Sequence, residues 1–584
     1  MNSVDFIKTH ILELIQEIFK LDDNLLNNID VKIEFDQKNT DLSTNAAMVL
    51  TKHLQISPSL IAKKIKDALL SDLIGEHENP LACHIENIEI AGPGFINIKL
   101  NAKTWHTTVH ELFAHPKKCF QLDAEQLVKN YLVEFVSANP TGPLSIAHGR
   151  NAIIGDVLCR IFKFLGHNVT REFYINDAGS QIEKLAASLK ARCLELSNQA
   201  TTFPEDGYAG EYIIEHANEM LKEYCIAKEC LDLCGCNVGD KSLDFFKEVG
   251  TKRMLKQIKK DLENYGVSFD VWFSEASLHK ANKPQEILEQ LFDLGFIYEK
   301  DNCAWFRSTA FGDDKDRVVK KADGSFTYVA PDIAYHKNKF ERKFDVIINI
   351  LGQDHHSYAK RLKAAMEALD FDVSSFHIIL YQLVSMKYNG QTLRMSKRAG
   401  VFEALSDVIQ NVGTDVARYF FLNKKADAHL EFDLELAQSK DINNPVYYLQ
   451  YAYVRAKSVL KKACLDLMLG EYAQKIEASD TDYVSELHET PDFHHFSPQD
   501  ITLIKKVCSL RDILAGINSH FQTHLLATYA HELAAMFNSY YNANKIVDTD
   551  NLTLSKNRLI IVKIVKNTLG LTLDLLGLSK PEKM

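Results

Sequence analysis

The period of the apolar positions changes twice along the chain, dividing it into three regions. Near the N-terminus Phe6, Ile7, Ile11, Ile15, Ile18 and Phe19 recur at helical spacing. The run Ile85-Glu86-Asn87-Ile88-Glu89-Ile90 mixes apolar and polar positions as a half-buried strand does. Gly92-Pro93-Gly94 supplies a turn, and Phe95-Ile96-Asn97-Ile98-Lys99-Leu100 alternates along most of its length. Residues 1–118 therefore read as a small α+β domain with a hairpin. Over 119–440 the pattern becomes strands alternating with helices. Residues 131–136 form a near-continuous apolar run, as in a strand buried on both faces. Ile154, Val157, Leu158, Ile161, Phe162 and Leu165 line one helix face, Gly166 ends it, and 169–175 read as the next strand. Such a βαβ unit implies a parallel sheet. A second unit follows: strand 346–351, helix 357–369, strand 376–384. A mostly helical insertion, about 178–300, separates the two. From 441 to 584 the strands vanish, and helices are expected over 446–468, 502–517, 525–541 and 554–576. The acidic, His-bearing stretch 471–496 reads as a solvated insertion.

Composition narrows the class. The 584 residues suit several domains, and a hydrophobic content of 46% is ample for several cores. A net charge of -11 argues against a generic basic nucleic-acid coat but leaves a local basic face open. The segment Met1-Asn2-Ser3-Val4-Asp5 has no basic start and no long apolar run, and the most apolar stretch, 559–578, is interrupted by Lys563, Lys566 and Asp574. A cytoplasmic protein without membrane spans is expected, and a monomer. Eleven thinly spread cysteines do not make a disulfide framework. Cys225, Cys230, Cys234 and Cys236 cluster without paired zinc-type spacing, which leaves free thiols or a metal site open.

Candidate chemistry gathers at strand ends. Glu134 lies within a buried strand, where a carboxylate is costly unless a cation meets it. With Tyr328 and Asp332 it can surround a guanidinium, whose planar fork matches carboxylates bidentately. The alternative is that Glu134 pairs with a structural Arg or Lys. Ser137 and Asn139, at the carboxyl end of the strand, suit an amino acid's ammonium and carboxylate, or ordinary turn chemistry before Pro140. His148 and Gly149 open a helix after a Pro-Thr-Gly-Pro turn, where free N–H groups favour phosphate. Arg394-Met395-Ser396-Lys397-Arg398-Ala399-Gly400 suits a departing pyrophosphate, or is a solvated basic loop. Gln353, in Gly352-Gln353-Asp354-His355-His356, suits ligand contact better than metal. No P-loop or dinucleotide fingerprint is present.

These residues resemble those of the bacterial-type arginyl-tRNA synthetases, a family of class I aminoacyl-tRNA synthetases. Pro140 to His148 resembles the HIGH signature and Arg394 to Lys397 the KMSK signature. Phe269-Asp270-Val271-Trp272-Phe273-Ser274-Glu275, Gly312-Asp313-Asp314-Lys315-Asp316-Arg317, Asn444-Pro445-Val446-Tyr447-Tyr448-Leu449-Gln450-Tyr451-Ala452 and the final Pro581-Glu582-Lys583-Met584 are similar to family blocks. The resemblance runs end to end. It implies an α/β, Rossmann-like class I catalytic domain with a parallel sheet, an N-terminal α+β domain and an all-α anticodon-binding domain of the DALR type. It implies arginine activation by Mg-ATP, then transfer to the 3′-terminal adenosine of tRNA, with no tightly bound cofactor. Glu134, Tyr328 and Asp332 would read the guanidinium; Ser137, Asn139 and Gln353 would hold the amino-acid head. His148, Gly149, Met395, Ser396 and Lys397 would serve ATP, with Ser145 and Arg394 in the catalytic signatures. Phe95 and Asn97 would touch the tRNA D-loop, and Tyr448, Tyr451 and Met584 the anticodon; the two tyrosines suit helix core equally well.

Ser145 stands where HIGH has its first histidine, Ala147 where it has glycine, and Arg394 where KMSK has its first lysine. A working enzyme slowed by Ser145 is expected. Two other functions remain open on sequence alone: an RNA-binding relative with a decayed site, and a nucleotidyltransferase acting on a small acid without RNA.

Overall fold

Five parallel strands form the sheet that the βαβ pattern predicts. They are β1 (Asn130–Glu134), β2 (Asn168–Ile175), β3 (Val271–Ser274), β4 (Val346–Gly352) and β5 (Phe376–Tyr381), in spatial order β5-β4-β1-β2-β3. The computed structural model describes residues 2–26, 28–35, 39–72, 84–122, 128–223, 238–393, 404–466, 468–478 and 496–584. Strand β1 is central, and four of its five residues are buried. From β1 the chain steps outward to β2 and β3 on one side, then returns to fill β4 and β5 on the other. The carboxyl ends of β1 and β4 thus flank the point where strand order reverses, the crevice in which open α/β sheets bind ligands. Helix α1 (Ile146–Phe164) follows β1, α2 (Val329–Glu341) precedes β4, and α3 (His356–Ala368) links β4 to β5.

Three boundaries differ from the periodicity reading. The helical insertion is shorter than 178–300: its long helices, Ser180–Leu196, Glu211–Glu223 and Leu243–Asn264, are followed by β3, which pairs in parallel with β2. Aromatic residues drive this, since Trp272 stacks on Phe173 and Phe269 lies against Phe135. The expected strand 376–384 is two strands, β5 and Val384–Tyr388, in different sheets. The chain breaks at Gln382, whose carbonyl accepts from the fully buried Arg150 at 2.7 Å. The stretch 471–496 begins not as a solvated insertion but in a helix, Gly470–Ala478, with Leu469, Ala473 and Ile476 wholly buried.

The chain divides into two compact units, 127–439 with 521–524, and 1–126 with 440–520 and 525–584. The second unit therefore unites the regions that sequence reads as its first and last domains. Its four-stranded antiparallel sheet carries the predicted hairpin, Ile85–Ala91 with Phe95–Leu100. Its long helices are Pro445–Ala463, Pro498–His520, His524–Ala543 and Leu552–Leu576. Lys505 joins the two regions, ion-pairing with Asp41 at 2.8 Å and donating to the carbonyls of Glu34 and Thr40. No helix among the described residues is long and apolar enough to cross a membrane.

Candidate active site

A strained turn shapes the mouth of the crevice. Val136 and Ser137, just past β1, both take left-handed backbone (φ 66° and 41°), a conformation costing on the order of 1–3 kcal/mol per non-glycine residue. Asn151 on α1 stabilises it, accepting from the Val136 N–H at 2.9 Å and donating to the Ile350 carbonyl of β4 at 3.0 Å. Phe135 folds onto α1 at Gly155, where an added Cβ would lie 2.2 Å from the phenyl ring. Gly155→Ala is therefore expected to destabilise the protein by about 1–3 kcal/mol in thermal unfolding.

The turn sends Ser137 back onto β1. Its hydroxyl donates to Glu134 Oε1 at 2.9 Å and accepts from the Tyr174 N–H at 3.1 Å. The other Glu134 oxygen accepts from Lys339, a fully buried lysine on α2. Glu134 is thus paired with a lysine of the protein itself. Ser137 likewise holds protein groups. Asn139 donates to Gln181 at 2.8 Å, and Gln353 opens a short turn immediately after β4.

Asp332, in the first turn of α2, is different. Burial pushes its carboxyl up to about 7; Glu275 and Glu134 add to the rise, while a hydrogen bond from Tyr358 and the charge of Arg361 oppose it. Glu275, the residue after β3, is also raised, by burial first and with Asp177 contributing. Tyr174 lies beside both acids, and its buried hydroxyl interacts with Glu275. Two interacting acids and a phenol suit an incoming cation with several donors. Tyr328, which caps α2 one turn before Asp332, is 68% exposed and its hydroxyl accepts from Arg361 at 3.4 Å. Tyr174 and Tyr358 also lie beside Asp332.

Ser145 is the N-cap of α1. The backbone N–H of His148 meets its hydroxyl at 3.4 Å, and His148 Nδ1 accepts from the Ser145 N–H at 3.1 Å. That hydrogen bond places the neutral ring's proton on Nε2, and burial lowers the pKa of His148, favouring the neutral form. Gly149 is buried; an added Cβ would lie 2.6 Å from Leu405. Arg394, Met395, Ser396 and Lys397 lie outside the described residues, as do Cys225, Cys230, Cys234 and Cys236. Ala404 forms an antiparallel bridge with Ser145.

In the other unit, Phe95 is exposed and Asn97 lies opposite Ser43 and Glu89 in the sheet. Tyr448 lies against His531, the rings tilted with centroids 5.3 Å apart. Tyr451 is exposed and accepts from Arg455 at 2.7 Å, and Met584 is exposed. Neither tyrosine is helix core, a role taken by Val446, Leu449 and Ala452.

Sequence reading missed Glu275, Tyr174, Tyr358, Lys339 and Asn151 as individual residues. The available signal was the polar residue on an otherwise buried face: Asn151 amid the apolar stripe of α1, and Lys339 seven residues after Asp332 on α2.

Three family models match in order: the arginyl tRNA synthetase N-terminal domain over 5–100, the class I tRNA synthetase (R) catalytic domain over 108–441, and the DALR anticodon binding domain over 449–584. The chain is 39% identical over 592 aligned residues to an arginine–tRNA ligase of Bacillus cereus, covering all of both chains, and 38% identical to that of Bacillus subtilis, covering 99% of each. Its fold is that of the Thermus thermophilus arginyl-tRNA synthetase, with a TM-score of 0.73 at 18% identity over 99% of this chain and all of the other. With a parallel sheet whose switch point lies beside the helix that presents His148, and with these three models in sequence, the chain belongs to the arginyl-tRNA synthetases of class I.

Proposed function

We propose that this chain is an arginine–tRNA ligase that joins L-arginine to the 3′-terminal adenosine of its cognate tRNA, with Mg-ATP as co-substrate. The arginine carboxylate attacks the α-phosphate of ATP, giving arginyl-adenylate and pyrophosphate; the adenosine hydroxyl then takes the arginyl group and AMP leaves. The observation that carries the amino-acid specificity is the Asp332–Glu275 pair beside the Tyr174 hydroxyl. These groups take the guanidinium. Ser137, Asn139 and Gln353 line the strand ends where the ammonium and carboxylate lie, and Glu134 acts there as a wall of fixed charge. His148 offers Nε2–H to the α-phosphate as negative charge builds on it. Lys397 and Arg394 hold the departing pyrophosphate, with Met395, Ser396 and Gly149 along the nucleotide. Phe95 and Asn97 face the tRNA D-loop, and Tyr448, Tyr451 and Met584 the anticodon, where stacking is worth roughly 1–3 kcal/mol per base.

Ser145 is the strongest support for a decayed relative, yet as the N-cap of α1 its hydroxyl supports the helix that presents His148. ATP–pyrophosphate exchange with and without tRNA tests the reading. Arginine should support exchange and citrulline, its uncharged near-isostere, should not; equal use of the two would refute the pocket. The same acids predict a pH effect. The guanidinium binds the ionised form of Asp332, whose pKa in the empty pocket is raised to about 7. The KM for arginine should therefore rise as pH falls through that value, by up to about tenfold per unit, and level off above it. A titration of KM in the charging assay checks this.

A further inference from the structure

Beneath the pocket, a chain of buried polar groups links Glu134 to the backbone of Asp332. Lys339 Nζ donates to Glu134 and, at 2.8 Å, to Asn349 Oδ1, and lies 4.4 Å from the centroid of the Tyr335 ring. Asn349, opposite Glu134 in the β1–β4 register, faces His336 Nε2 at 2.9 Å. His336 Nδ1 lies 2.8 Å from the Asp332 carbonyl. An amide that donates to Nε2 leaves the ring proton on Nδ1, where it is given to that carbonyl. Lys339 is 0% exposed and has no part in the reaction above.

A buried lysine that touches a carboxylate at the pocket wall changes which acids remain for the substrate. Around Asp332, the carboxylates of Glu275 and Glu134 raise its pKa and the cation Arg361 lowers it. Lys339 meets Glu134 directly. Without Lys339, Glu134 loses its resident cation and becomes a receptor for an incoming ammonium.

We propose that Lys339 is a specificity-determining positioning residue: as a resident cation it withdraws Glu134 from the incoming side chain, leaving Asp332 and Glu275 to read the guanidinium fork. This rests on the assignment of those two acids to the guanidinium.

The test is the ratio of kcat/KM for arginine over lysine in tRNA charging by the full-length enzyme. In Lys339→Met the ratio should fall at least tenfold, because Glu134, now unpaired, accepts a point-charge ammonium that Asp332 and Glu275 hold poorly. In the double variant Glu134→Gln/Lys339→Met, which removes both charges, the ratio should return to within about threefold of the parent. An unchanged ratio in folded Lys339→Met would leave Lys339 a structural residue only and overturn the proposal. A collapsed ratio in the double variant would mean that Glu134 itself reads the substrate, and would overturn it too. If Lys339→Met does not fold, the double variant decides alone. Asp332→Asn and Glu275→Gln, run in parallel, separate the two ideas. If both keep the parent KM for arginine, the pocket assignment fails; if both raise it while Lys339→Met keeps its ratio, only the role of Lys339 fails.

Discussion

Asp332→Asn is expected to raise the KM for arginine by about 30- to 5,000-fold while leaving the KM for ATP within about threefold. The range follows from removing one partner of a buried, hydrogen-bonded charge pair, which costs roughly 2–5 kcal/mol. Much of that cost comes from what is left behind. Asparagine turns a donor toward a guanidinium that has only donors, and Glu275 alone must meet a five-donor fork. Steady-state charging kinetics measure it. The variant carries a second signature. If Asp332 is the group whose ionisation near pH 7 gates arginine binding, Asp332→Asn should also flatten the pH dependence of KM. The parent and variant should then differ least at low pH, where Asp332 is already protonated. A variant with parental KM, or with a raised KM but the parent's pH profile, would show that another group reads the substrate.

His148→Ala should lower kcat by about 10²- to 10³-fold and leave the KM for arginine nearly unchanged, the loss typical of one preorganised donor to a developing anion. The structure separates this from the effect of Ser145. The Ser145 backbone N–H, which no substitution except proline removes, holds His148 Nδ1 at 3.1 Å, while the Ser145 hydroxyl caps the helix and also lies 3.0 Å from Nδ1. Ser145→Ala should therefore cost about 1 kcal/mol of stability and only a small part of the rate. Comparing the two by single-turnover adenylate formation and thermal unfolding distinguishes a lost catalytic group from a lost cap. A Ser145→Ala variant as slow as His148→Ala would show that the hydroxyl itself acts on ATP.

Much of the frame is legible in the chain because local patterns carry it. The apolar run that ends at Glu134 is a strand buried on both faces, and the apolar stripe on α1 has helical period; both are statements about near neighbours. The serine three residues before His148 marks the helix start. Other features resist such reading for physical reasons. Residues 271–274 form a strand only because β2 offers an open edge and Phe173 a stacking surface. The break at Gln382 exists because the guanidinium of Arg150, more than 230 residues away, takes its carbonyl. The joining of 1–126 with 440–520 and 525–584 depends on pairs such as Lys505–Asp41, which no periodicity announces.

Sequence alone determined the class of protein: its family, the parallel sheet, and the flanking N-terminal and helical C-terminal regions. It did so because hydrophobic period and capping chemistry act over a few residues, and because several family blocks in a fixed order rarely coincide by chance. Tertiary structure decided which carboxylate is already paired within the protein. Glu134 and Asp332 look equivalent in sequence, each an acid in an apolar setting. Only the fold brings Lys339 from α2 against Glu134 and Asp332 beside Glu275 and the Tyr174 hydroxyl. Charge compensation is a three-dimensional property, settled by which groups meet across the sheet.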